Sequence, residues 1–146
     1  MNRKIYVTKR MTFEAAHYLP NYDGKCNKLH GHSYKVEATF SGLIDLNYCE
    51  IDESSQTEKD LNPYNAMVCD FSQLKKAMKE VFDKYDHSNL NDFFYIPTAE
   101  YMCITMFREL KDLLSNTSLF SGVTLEVLKL WETEDSYAEY RGESTE

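Results

Sequence analysis

The sequence predicts an α+β fold: one antiparallel sheet of four strands with two helices packed on one of its faces. Three observations predict it. Apolar residues alternate with polar ones in two early segments, recur at helical spacing in two middle segments, and return in strand-forming runs near the end. The resulting order is strand, strand, helix, helix, strand, strand. At 146 residues the chain has the size of a single domain, read as residues 1–146 with an acidic loop insertion at about residues 42–66.

The first strand is carried by Ile5, Val7, Met11, Phe13 and Ala15, with Thr8, Arg10, Thr12 and Glu14 between them, and it ends near His17. Only Tyr6 and Lys9 break its period of two. In the second strand Tyr34, Val36, Ala38 and Phe40 alternate with Lys35, Glu37 and Thr39, and Ser41-Gly42 is read as its stop. Helical spacing then places Leu74, Ala77, Met78, Val81, Phe82 and Tyr85 on one face of the first helix. The second helix starts after Pro97 with Thr98 as N-cap, buries Ala99, Met102, Cys103, Met106, Phe107, Leu110, Leu113 and Leu114, and ends near Ser115-Asn116. Strand formers from Val123 to Glu132 and a short run from Tyr137 to Tyr140 complete the sheet. So small a sheet has two open edges, and a homo-oligomer that closes them is expected.

Charge narrows the partners. The net charge of −8 disfavours nucleic acid and anionic membranes, both of which need a basic face. More than half of that charge lies between Gly42 and Ala66, where Asp45, Glu50, Asp52, Glu53, Glu58 and Asp60 face only Lys59. The rest of the chain is therefore close to neutral and has room for a local positive pocket, so a phosphorylated small molecule remains compatible. No apolar run is long enough for a signal peptide or a membrane span, and a cytoplasmic location is expected. Cys26, Cys49, Cys69 and Cys103 form no CxxC pair, and a reducing compartment would leave them as thiols.

The stretch "CNKLHGHSYKVEATF", residues 26 to 40, concentrates the chemistry. On a strand, His30 and His32 point to the same side, roughly 6.6 Å apart along the chain. His17 shares the parity of Phe13 and Ala15, so an antiparallel return brings a third imidazole to the same point. Three neutral histidines leave Zn²⁺ its full charge and an open fourth position, the pattern of a catalytic site. The bland alternative is a pair of strand histidines bonded to neighbours. A second alternative makes Cys26 the fourth ligand of a closed structural site, which a chain long enough to bury its own core needs less. As a reagent instead, Cys26 has Lys25 and Lys28 beside it to favour the thiolate.

Other candidates lie downstream. In Asp86-His87 a carboxylate can orient and charge an imidazole, although the dipeptide is common. Glu132 ends an apolar strand just after Trp131, where an unpaired carboxylate is costly to bury. The run "HGHSYKVE" also matches the two histidines and glutamate of a cupin, but Glu37 has the opposite parity to His30 and His32 and would point away.

Taken in order, "FEAAHYL", "CNKLHGHSY", "MVCDFSQLK", "DHSNLND", "PTAE" and "WETEDSYAEY" resemble the 6-pyruvoyltetrahydropterin synthase superfamily, most closely its 6-carboxy-tetrahydropterin synthase branch in the queuosine pathway. The resemblance covers nearly the whole chain. It implies the tunnelling fold, in which subunits join their sheets into a barrel as trimers or pairs of trimers, with active sites between subunits. It implies His17, His30 and His32 as zinc ligands, Cys26 as catalytic base, His87 backed by Asp86 as proton relay, and Glu132 as the residue that holds the pterin ring. Thr98 and Glu100 match the loop that lines the pterin pocket. The implied substrate is 7,8-dihydroneopterin triphosphate. The branch rests on the three residues between Cys26 and His30, followed by Ser33; the pyruvoyl branch is the alternative, and a zinc-stabilised binding module is the non-enzyme one. Two departures from the branch are the long acidic segment at 42–66 and the acids of "ETEDS".

Overall fold

The computed structural model describes residues 1–50 and 61–143. Two long strands dominate it, β1 (Asn2–His17) and β2 (His30–Asp45). They pair antiparallel along their whole length, from Asn2 opposite Asp45 to His17 opposite His30. After a short helix, α1 (Leu46–Cys49), the chain reaches α2 (Phe71–Phe82), a two-residue strand β3 (Ser88–Asn89), α3 (Ala99–Ser115), β4 (Thr124–Trp131) and β5 (Tyr137–Tyr140).

The sheet has five strands in the order β3-β1-β2-β4-β5 and is mixed, because β3 runs parallel to β1 beside Ala15 and Ala16. This corrects the expected four-stranded antiparallel sheet. Two residues are too few to show a period, so β3 leaves no hydrophobic signal. The second strand is also longer than its alternation indicates, running through Gly31 at one end and Ser41-Gly42 at the other. Gly42 does not end the strand. A Cβ at Gly42 would lie 2.8 Å from the Val68 Cγ1, so glycine is there to admit the segment leading into α2.

Parity divides the sheet. Phe13 and Ala15 of β1, Tyr34, Val36, Ala38 and Phe40 of β2, and Leu125, Leu128 and Leu130 of β4 join the buried faces of α2 and α3 in one core. The opposite face is polar, with Thr8 bonded to Thr39 at 2.7 Å, Ser33 donating to Glu14 at 2.7 Å and Arg10 paired with Glu37 at 3.0 Å. Glu37 therefore lies on the other face from His30 and His32, as its parity requires, and the cupin reading falls. Helix α2 is capped by Asp70 and ends at Phe82, which leaves Tyr85 in a single 3₁₀ turn.

The acidic segment is only partly within the described residues. Strand β2 continues to Asp45 and α1 follows, while residues 51–60 lie outside them. Among the described residues no helix is long and apolar enough to cross a membrane.

Candidate active site

The long β1–β2 ladder brings the three histidines together. His17 is the direct partner of His30, and His32 is paired with Ala15 one step along. All three lie on the helix-facing side, and one ring nitrogen from each falls within 4.8 Å of the other two. The cluster sits at one end of the core: Tyr34, stacked on Phe13 at 5.0 Å, presents its ring edge-on to His17 and His32.

Hydrogen bonds decide which nitrogen each imidazole offers. His17 Nδ1 lies 2.9 Å from the Pro97 carbonyl oxygen, and His30 Nδ1 lies 2.7 Å from that of Lys28. A carbonyl only accepts, so both Nδ1 atoms carry the proton and both Nε2 lone pairs are free. His17 Nε2 and His32 Nε2 are buried without a hydrogen-bond partner, and so is the Tyr34 hydroxyl. Buried polar atoms are seldom left unpaired, and lone pairs converging on one point suit a cation. Burial lowers the pKa of His32 below its ordinary value, against the opposing charge of Glu132. A neutral imidazole, the form that ligates a metal, is thereby favoured. The donor set fits zinc or another ion that accepts three imidazoles.

Glu132 is half-buried at the end of β4, with its Oε1 3.4 Å from His32 Nε2. Its own backbone N–H donates to Ser136, closing the β4–β5 turn that fixes the carboxylate beside the histidines. Cys26 is half-buried in a 3₁₀ turn (Lys25–Asn27) of the connection between β1 and β2, which is tied across by the Leu19 N–H donating to the Cys26 carbonyl at 2.7 Å. Among the described residues the ligand cluster comprises the three histidines and does not include Cys26.

Asp86 and His87 sit at the edge of β1, in a clamp made by one residue. Glu14 donates its N–H to Asp86 Oδ1 at 2.9 Å and accepts from the His87 N–H at 2.6 Å. The Glu14 N–H, with His87 beside it, holds the Asp86 carboxyl below the usual carboxylate range. His87 Nδ1 lies 3.0 Å from Asp86 Oδ2. His87 has φ 57°, a left-handed conformation that costs a side chain about 1–2 kcal/mol, so the clamp holds it against strain. The result is an imidazole backed by a carboxylate and 79% exposed. It lines a shallow cleft of about 460 Å³ with Glu14, Gly31, His32 and Ser33. Among the described residues its ring contacts Asp86 and none of the clustered histidines, Cys26 or Glu132.

Thr98 caps α3, its Oγ1 accepting the Tyr101 N–H, while Glu100 is exposed in the first turn of that helix. The carbonyl just before the cap, that of Pro97, orients His17. Sequence reasoning missed this contact, because a backbone carbonyl carries no residue signature. Thr98→Ala is expected to cost about 1 kcal/mol of stability through the lost cap, read as a shift in urea midpoint at constant m-value. An unchanged midpoint would leave Thr98 only a ligand-lining role.

Comparison with known proteins agrees with this arrangement. The sequence profile described as 6-pyruvoyl tetrahydropterin synthase matches residues 6–143. A protein of Archaeoglobus fulgidus with a provisional name of 6-carboxy-5,6,7,8-tetrahydropterin synthase is 33% identical over 141 residues, covering 97% of this chain and 99% of its own. The 6-carboxy-5,6,7,8-tetrahydropterin synthase of Haemophilus influenzae is 32% identical, with 92% and 97% covered. In three dimensions the Caenorhabditis elegans 6-pyruvoyl tetrahydropterin synthase superposes with a TM-score of 0.70 at 30% identity, over 97% of both chains. Motif order, histidine geometry and full-length similarity lead to one conclusion: the chain belongs to the 6-pyruvoyl tetrahydropterin synthase family.

Proposed function

We propose that the protein is a cytosolic, zinc-dependent lyase that converts 7,8-dihydroneopterin triphosphate and water to 6-carboxy-5,6,7,8-tetrahydropterin, triphosphate and acetaldehyde, as a step toward queuosine-type 7-deazapurines. One observation carries the reading: the unpaired His17 and His32 Nε2 atoms converge with His30 beside the carboxylate of Glu132. Zinc held by His17, His30 and His32 would acidify the hydroxyl and C–H groups of the substrate side chain. Glu132 accepts hydrogen bonds from the ring N–H and amino group of the pterin and fixes its register. Cys26, as thiolate, takes a proton from the side chain. His87, charged and oriented by Asp86, returns one. Thr98 and Glu100, at the start of α3, edge the ring pocket.

The exposure of His87 gives this reading a quaternary side. With two sheet edges open, His87 of one copy serves the histidine cluster and Glu132 of another in a trimer-based assembly. Glu132→Ala and His87→Ala are each expected to keep their fold and lose most turnover. Refolded together in equal amounts, they should recover activity at about a quarter of the sites, as random pairing of two kinds of chain requires. No recovery would place both residues in one subunit's site. The small product separates the branches: acetaldehyde marks the carboxy product, and triphosphate release without it marks the pyruvoyl one, the reading favoured by the likeness to the Caenorhabditis elegans structure.

A further inference from the structure

One break in the first strand's alternation is still unexplained by this function. Lys9 stands at a core-facing position of β1, opposite Ala38, and is half-buried. It faces α2, where Lys75 and Lys79 stand four residues apart and so share one side of the helix. The three lysines line a cleft of about 470 Å³ together with Met78, Asp83 and Asp86. Arg10 also lines it but is already paired with Glu37. Among the described residues Lys9, Lys75 and Lys79 form no ion pair, whereas Lys4, Lys84, Arg108, Lys129 and Arg141 each have a carboxylate. Of the two acids in the cleft, Asp86 is committed to the Glu14 N–H and His87. In a chain of net charge −8, three lysines against the one remaining acid, Asp83, leave a net positive site.

We infer that this cleft binds a linear polyphosphate, with Lys75 and Lys79 as successive contacts along the phosphate chain and Lys9 at its base. The inference rests on the proposed reaction to this extent: Asp86, which orients His87, also lines this cleft, so a triphosphate held here would belong to a substrate whose carbon side chain reaches that imidazole. Lysine suits the role as a mobile point charge, and the contacts weaken with salt.

The test uses inorganic tripolyphosphate as probe and calorimetry as readout, so it does not depend on turnover. The wild-type protein should bind tripolyphosphate more tightly than orthophosphate, with an affinity that falls as salt rises. Lys75→Ala/Lys79→Ala should weaken tripolyphosphate binding roughly tenfold or more. Lys76→Ala, on the same helix but outside the cleft, should bind as the wild type does. Equal binding by the double variant and the wild type, or no preference over orthophosphate, overturns the site. Tripolyphosphate binding that follows this pattern in a protein that makes no pterin product would keep the site and sink the proposed reaction instead.

Discussion

His32→Ala is expected to reduce bound zinc from about one ion per chain to near zero while leaving the fold in place. The reason lies in the geometry of the cluster. Two of the three imidazoles are oriented by carbonyls, and two Nε2 atoms are buried without a hydrogen-bond partner, so the site suits an ion and two residual ligands would hold it poorly. His87→Ala is the control, because that imidazole lies outside the cluster and should leave zinc content unchanged. Acid tests the same site with a definite sign. Burial lowers His32 from its ordinary 6.5, so the imidazole stays neutral and able to ligate at pH 7. Zinc is therefore expected to bind at pH 7 and to bind more weakly as acid protonates that imidazole. In the metal-free protein the unfolded chain binds the proton more readily, so stability also declines as pH falls below 6.5. Full zinc occupancy in His32→Ala, measured by metal analysis, would remove the assignment.

The histidine cluster was legible because a strand's period of two and an antiparallel return suffice to place His17, His30 and His32 together. Glu132 was legible as a carboxylate too costly to bury without purpose. What escaped was carried by backbone. The Pro97 carbonyl that orients His17 and the Glu14 amide and carbonyl that clamp Asp86-His87 belong to positions whose side chains say nothing about them. Gly42 read as a stop because glycine commonly ends strands, whereas the close approach of Val68 demands it within one. Thr98 was legible as a helix cap, the role to which a hydrogen bond corresponds. Lys9 was visible as an exception to the alternation. Its meaning needed α2 beside it.

Cys26→Ala is expected to leave zinc content and melting temperature nearly unchanged and to cut turnover roughly a hundredfold or more. A fourth ligand would behave differently, since metal affinity and folding are coupled and both would fall together. The structure separates these outcomes in advance. Cys26 lies in a short turn between β1 and β2, outside the group of nitrogens that meet within 4.8 Å, and its backbone carbonyl already anchors the connection through Leu19. Replacing the thiol by a methyl group therefore leaves that anchor and the three imidazoles untouched. It removes a thiol that, as thiolate, can take a proton. Cys26→Ser is the sharper variant: a hydroxyl of similar size is a far weaker acid and should stay inactive at neutral pH, yet recover in part as pH rises if proton abstraction alone is missing. Zinc, melting and acetaldehyde release measured on one preparation of each variant give the answer. Turnover retained in Cys26→Ala would take the thiol out of the mechanism, and zinc lost with it would make the thiol a ligand.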